Sequence, residues 1–153
     1  MRRRDKEITD RNVIDAILRE AQVCRIALCD GDAPYVVPVN FGYDGSAIFF
    51  HSAPEGRKMG IIARNDRVCF EVDTGHELVR GAAPCSWGMK YRSVIGIGRA
   101  RLLTGPGEKR EALDCIMRHH GAAGEFRFEP AQLDAVAVVR IDIEELSGKQ
   151  AGQ

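Results

Sequence analysis

Residues 47–68 read Ala-Ile-Phe-Phe-His-Ser-Ala-Pro-Glu-Gly-Arg-Lys-Met-Gly-Ile-Ile-Ala-Arg-Asn-Asp-Arg-Val. A short apolar run ends in His51, a tight Pro-Glu-Gly segment follows, and two adjacent cations, Arg57 and Lys58, open an amphipathic stretch. Backbone N–H groups at a helix start point outward without partners, and the helix dipole favours an anion there. A strand end, a glycine turn, paired cations and a helix start therefore form a candidate phosphate socket. Two solvated cations on a helix start would read the same way from sequence, although cations there oppose the dipole unless an anion is present.

On either side the chain reads as short strands with turn signals. Ahead of the socket, residues 9–22 are predicted helical, with Thr9 or Asp10 able to cap and Val13, Ile14, Ile17, Leu18 and Ala21 on one face. Strands are expected over residues 23–29 and 34–41, separated by Asp30-Gly31-Asp32, and the second carries Pro38, which cannot donate to a ladder and marks an edge or bulge. Residues 47–51 form the third strand, and a short helix follows Arg57 and Lys58 as far as Asn65. Residues 67–73 are the fourth strand, 74–86 the longest loop, 87–103 a long strand with Gly96 and Gly98 as a bulge or barrel corner, 108–120 a helix, 121–132 a polar loop and 135–146 the last strand. Residues 1–8 and 147–153 are expected to be flexible tails. No strand–helix–strand alternation appears, so a doubly wound parallel sheet is excluded. The expectation is one domain over residues 1–153, mainly β with flanking α, built as a six-stranded antiparallel barrel that is closed or partly closed.

The totals limit the function. Of 153 residues, 44% are hydrophobic and 29% charged, the proportions of an ordinary globular domain. Lysine plus arginine number 22 and so do aspartate plus glutamate, which argues against a general nucleic-acid binder. No apolar run approaches a membrane span, and the basic start is not followed by the apolar core of a signal peptide, so a cytoplasmic protein is expected. Cys24, Cys29, Cys69, Cys85 and Cys115 contain no C-x-x-C pair and are expected to be small hydrophobes in a reducing compartment, with Cys85 set apart beside a loop and Trp87.

Other residues able to carry chemistry are few. His51, at a strand end beside Ser52, is either a rim histidine satisfied by a carbonyl or a proton carrier beside a ligand. His119 and His120 sit near a helix C-terminus, which accounts for them without a ligand. His76, beside Glu77, has no third metal ligand placed by sequence. Gly96-Ile97-Gly98 lies within a strand and opens no helix, so it is not a dinucleotide fingerprint. Tyr91-Arg92-Ser93-Val94 is either a hairpin edge or a polar patch offered to a ligand.

In order and spacing these pieces resemble the pyridoxamine 5'-phosphate oxidase-like flavoproteins, the FMN-binding split-barrel superfamily, and most of all its 5-nitroimidazole resistance branch. The resemblance is carried by Arg2-Arg3-Arg4-Asp5, Pro34-Tyr35-Val36-Val37-Pro38-Val39-Asn40-Phe41, Phe50-His51-Ser52-Ala53, Gly56-Arg57-Lys58, Asn65 with Val68, and Tyr91-Arg92-Ser93-Val94-Ile95-Gly96-Ile97-Gly98-Arg99-Ala100. It implies a six-stranded split barrel that forms a homodimer with FMN between the subunits. By position, Val36, Val37, Pro38, Val39, Asn40 and Phe41 line the flavin with strand backbone. His51 and Ser52 contact the cofactor, with His51 the candidate catalytic donor. Arg57 and Lys58 hold the FMN phosphate, and Ser93, with Tyr91, reaches the flavin, often from the second subunit. The aromatic and arginine pattern with which the oxidases hold pyridoxal phosphate does not follow Lys149, so oxidation of vitamin B6 is not expected. The resulting expectation is an FMN-dependent oxidoreductase acting on nitro-aromatic or other small acceptors. The rival readings are a haem-binding or haem-degrading relative using His51, His76 or His119, and a non-catalytic flavin or deazaflavin binder.

Overall fold

The computed structural model describes residues 3–152. Eight strands form one antiparallel sheet: β1 (Glu7–Ile8), β2 (Cys24–Asp30), β3 (Ala33–Val39), β4 (Gly42–Tyr43), β5 (Ala47–Ser52), β6 (Arg67–Val79), β7 (Gly88–Leu103) and β8 (Ala137–Ala151). Four helices flank it: α1 (Arg11–Glu20), α2 (Arg57–Arg64), α3 (Pro106–His119) and α4 (Pro130–Asp134). The strand order is β3-β2-β6-β7-β8-β5-β4, with β1 added to β8, and the sheet is not closed. None of the helices is long and apolar enough to cross a membrane.

Local chemistry explains the elements that place the site. The Asp10 side chain accepts from the Asn12 N–H at 2.8 Å and starts α1, whose Ile14, Ile17 and Leu18 are buried. The β2–β3 hairpin runs from Cys24 opposite Val39 to Asp30 opposite Ala33, and Gly31 takes the positive φ of +67° that the turn requires. Asp44 closes the β4–β5 turn by accepting from the Ser46 and Ala47 N–H groups at 2.7 and 2.8 Å.

Side chains alternate across the sheet. One face buries Ile26, Phe50, Phe70, Val94 and Ile141 with α1, forming the main core. On the other face Ala47, Phe49, Leu103 and Val138 meet Ala112 and Ile116 of α3 in a second cluster.

The six long strands are the six read from sequence, and β1 and β4, of two residues each, raise the count to eight. Pro38 sits in β3, at one end of the strand order, where its missing donor costs no central ladder bond. The glycine irregularity expected in β7 is a register shift between Ile97 and Gly98. Three expectations are corrected. The loop expected over 74–86 begins only after Val79, because β6 continues that far around a bulge between Thr74 and Glu77. The polar stretch 121–132 leads into the short helix α4, whose five residues are too few to show a helical period in the sequence. The tails are tied down over most of their length: β8 continues through Ala151, and Glu7 and Ile8 pair with Lys149 and Gly148. Arg2, part of the N-terminal basic cluster, lies outside the described residues.

Candidate functional site

The start of α2 is built to leave donors free. Gly56 precedes it at φ +126°, ψ 170°, a conformation open to glycine, and contributes no side-chain cap. The first intrahelical bond runs from the Gly60 N–H to the Gly56 carbonyl at 3.0 Å, so the N–H groups of Arg57, Lys58 and Met59 have no partner within the helix.

The two cations differ. Arg57 lies over the Tyr35 ring at 4.7 Å and reaches Asp30 at 3.5 Å, while Arg64 holds the other oxygen of Asp30 at 2.7 Å. Lys58 is half-buried with its Nζ 5.2 Å from the centre of the Phe50 ring, and burial pushes its pKa below the ordinary lysine value with no charge partner among the described residues to offset it. In the sequence Asp30 is a turn residue and Tyr35 a strand residue. Nothing local in the sequence signals that they meet Arg57 across the β2–β3 hairpin. A groove of about 470 Å³ runs along α2 past Gly56 and Met59 to Ala100 and Leu102 of β7.

Ser52 lies on the same face of β5 as Phe50, and hence as Lys58, whereas His51 stands on the opposite face with Phe49, exposed and opposite Val138. The pair therefore serves one ligand only at the end of β5, where the chain leaves the sheet. On β3, Val37 and Val39 turn inward, while Val36 and Pro38 turn outward. Asn40, just beyond the strand, is exposed. Phe41 is fully buried and packs against His119, with ring centroids 4.3 Å apart, so its side chain does not line a ligand.

Tyr91 and Ser93 are elsewhere. Ser93 is opposite Asp73 and Lys149, ten positions along β7 from Leu103, which pairs with the Val138 opposite His51. At about 3.3 Å per residue, that is roughly 33 Å of strand. One chain therefore does not bring Tyr91 and Ser93 to Lys58.

Ser93 shares its face with a row that crosses four strands, Val36 opposite Ala27, Ala27 opposite Cys69 and Cys69 opposite Ile97. None of these four belongs to either buried core cluster. The apolar row is thus offered outward.

Two of the remaining histidines have close partners. His119 donates Nε2–H to the Ala21 carbonyl at 2.7 Å, and His76 pairs with Asp73 at 2.9 Å. All five cysteines are free, with Cys24 buried but Cys29 and Cys85 exposed, contrary to the expectation of burial for Cys29. Among the described residues no cluster of three His, Cys, Asp or Glu side chains could hold a metal ion.

An open antiparallel sheet flanked by helices, with a glycine-preceded helix start where β5 gives way to α2, is the split-barrel class. The chain belongs to the pyridoxamine 5'-phosphate oxidase family, whose sequence profile matches residues 10–150. Among solved structures, a candidate 5-nitroimidazole antibiotic resistance protein from Bacteroides thetaiotaomicron VPI-5482 is 34% identical, covering 94% of this chain and 86% of its own, with a TM-score of 0.84. The flavocytochrome Anf3 from Azotobacter vinelandii is 23% identical, covering 100% and 72%, with a TM-score of 0.86. A FAD- and haem-binding protein from Mycobacterium smegmatis is 21% identical, covering 97% and 74%, with a TM-score of 0.87. At these lower identities the likeness is one of fold. No curated protein sequence matches the chain.

Proposed function

We propose that this protein binds FMN as a homodimer and acts as an FMN-dependent oxidoreductase on small acceptors, nitro-aromatic compounds among them. The observation that carries the reading is Lys58: a half-buried cation with no counter-charge among the described residues, beside three free N–H groups at a glycine-capped helix start. A phosphate fits this cradle, since it supplies the missing negative charge and accepts the free donors. Arg57, steadied by Asp30 and Tyr35, adds a second cation at the rim.

When bound, the flavin supplies the two-electron chemistry, and the protein supplies binding, orientation and proton handling. Ser52 and the outer edge of β3 at Val36, Pro38 and Asn40 border the ring, and His51 stands at the strand end as a donor. The likeness to the candidate nitroimidazole resistance protein supports the choice of acceptor.

The homodimer rests on the outward apolar row Val36, Ala27, Cys69 and Ile97. A second copy seated there covers that row and brings its Ser93, which lies on the same face, towards a site that one chain leaves incomplete.

The test is an absorbance spectrum of the purified protein with mass spectrometry of the released ligand. The expected result is a flavin spectrum and FMN. A protein that stays colourless with added FMN, or shows a Soret band instead, overturns the reading. Turnover of a nitro-aromatic probe with a reductant separates an enzyme from a flavin or deazaflavin store.

A further inference from the structure

We propose that His76, oriented by Asp73, is a second proton donor, beside His51, that one copy of this chain presents to the cofactor site of its partner. The proposal rests on the FMN-homodimer reading above and adds a residue to it.

The observations concern a bulge in β6. Pairing with β7 is regular as far as Thr74 opposite Arg92 and resumes at Glu77 opposite Lys90, so that Gly75 and His76 together face the single residue Tyr91. Gly75 takes φ +67°, which turns the chain so that the His76 ring folds back over its own strand. There its Nε2 meets Asp73 Oδ2 at 2.9 Å. A carboxylate only accepts, so Nε2 carries the hydrogen of this bond and Nδ1 is left to exchange a proton. Asp73 is fixed in turn, because its Oδ1 accepts from Arg25 at 2.7 Å, and Arg25 also holds Glu71 at 3.2 Å.

Register places this device. Asp73 is directly opposite Ser93, so their side chains stand on one face with Cβ atoms about 4.5–5.5 Å apart. If Ser93 reaches the partner's cofactor, the Asp73–His76 pair arrives with it. The pair also opens onto a cleft of about 360 Å³. That cleft is bordered by Thr74, whose hydroxyl is unpartnered although the residue is only 8% exposed. A buried hydroxyl without a partner is a vacant hydrogen-bonding position for a polar acceptor.

When bound and reduced, the flavin would supply the hydride, and His76 would supply the proton to the acceptor from Nδ1. With a nitro group, hydride and proton together remove one oxygen as water and leave the nitroso compound. The N–O bond breaks, two O–H bonds form, the cofactor is left oxidised and the imidazole regains its proton from solvent. The charged groups around His76 are Asp73, Glu71 and Glu77 on β6, Arg25 on β2, Glu20 at the end of α1 and Arg92 on β7.

The experiment pairs two variants, each defective for a different reason. A heterodimer is made from a Lys58→Ala chain and a His76→Asn chain carrying different tags, and loaded with FMN. If His76 acts across the interface, one of its two sites has both residues intact. The heterodimer then reoxidises with 2-methyl-5-nitroimidazole at about half the wild-type rate, while the His76→Asn homodimer is slowed by about 10²-fold or more. A heterodimer that binds one FMN but stays as slow as the His76→Asn homodimer overturns the His76 role and leaves the FMN reading standing. Absence of FMN binding, or a monomer by sedimentation, overturns both.

Two further readouts separate a proton donor from a structural histidine. The His76 ring resonance in the NMR spectrum, assigned by its loss in His76→Asn, is expected to shift when FMN is added to the dimer. An unmoved resonance counts against the proposal. Asp73→Asn is expected to move the midpoint of the pH–rate profile while leaving FMN affinity unchanged. An unchanged profile removes Asp73 as the positioning residue.

Discussion

The Nζ of Lys58 lies 5.2 Å from the centre of the buried Phe50 ring, and among the described residues it makes no ion pair or hydrogen bond. A lysine held this way is an unfavourable feature of the empty fold and a favourable one of an anion complex. Burial lowers its pKa because the charged form loses water, and only the weak attraction of the ring offsets that loss. Lys58→Met is therefore expected to weaken FMN binding by roughly 1.5–3 kcal/mol, the value of a charge-assisted hydrogen bond. The same substitution should leave the melting temperature of the ligand-free protein unchanged or raised. Calorimetric titration with FMN and thermal melts of the free protein check the two halves separately, and a variant that binds FMN like the parent removes Lys58 from the site.

Arg57 should behave differently. It is already occupied by Asp30 and the Tyr35 ring, and it is exposed. Arg57→Ala is expected to cost less FMN affinity than Lys58→Met. It should also change the stability of the free protein by no more than about 0.5 kcal/mol, because exposed ion pairs contribute little and Asp30 keeps Arg64. Raising the salt concentration should shrink the Arg57 effect more than the Lys58 effect, since screening acts most on exposed charges.

The contrast between these cations shows where sequence reading ends. Their adjacency, the glycine before them and the apolar run into His51 were enough to mark an anion cradle, because each is a local signal. What separates Lys58 from Arg57 is non-local: Phe50 from β5 lies under one, and Asp30 and Tyr35 from another hairpin hold the other. The same limit appears in the strands. Alternation and turn residues located the six long strands. The two-residue pieces Glu7–Ile8 and Gly42–Tyr43 carry no period to detect and exist only through their partners. Residues 147–151 looked like a tail because Ser, Gly, Lys and Gln have weak strand preference, yet two neighbouring strands hold them.

That pairing makes a strong prediction about the C-terminal segment. Gly148 packs so closely that a Cβ there would lie 2.8 Å from Ile8 Cβ and 3.0 Å from Ile14 Cγ1. Removing residues 147–153 takes the partner from β1 and uncovers Ile8 and Ile14, which are 8% and 6% exposed. Re-exposing two such side chains costs on the order of 3 kcal/mol, before the lost ladder bonds to β7 are counted. Chemical denaturation should show a clearly lowered midpoint. A truncated protein as stable as the parent would mean that β8 ends functionally at Leu146.

Gly96 offers a test of the core independent of any ligand. A methyl group there would run into the ring of Phe70, which is fully buried and cannot swing into solvent. Gly96→Ala is expected to destabilise the fold by about 1–3 kcal/mol, the range for overpacking a filled interior. The slope of the urea transition should be unchanged, since the surface exposed on unfolding is nearly the same. A midpoint equal to the parent's would show that Phe70 has room to move.

His119 gives the pH dependence a definite sign. Burial is the main reason its pKa lies below the ordinary histidine value of 6.5; the nearby His120 and Arg19 push the same way, and the hydrogen bond to the Ala21 carbonyl opposes them. In the folded protein the ring resists protonation, while in the unfolded chain it protonates near the ordinary value. Between the lowered and the ordinary value the unfolded state therefore holds more protons, and stability falls as the pH is lowered through that window. Below the lowered value both states are protonated and the full penalty of burying the charge is present. Above the ordinary value His119 is neutral in both states and adds no slope. His119→Gln can keep a donor for the Ala21 carbonyl but cannot titrate. It is expected to match the parent's stability at pH 8 apart from a constant offset, and to lose less stability between pH 7 and pH 5. Parallel denaturation curves for the two proteins across that range would show that the charge is not excluded from the Phe41 contact.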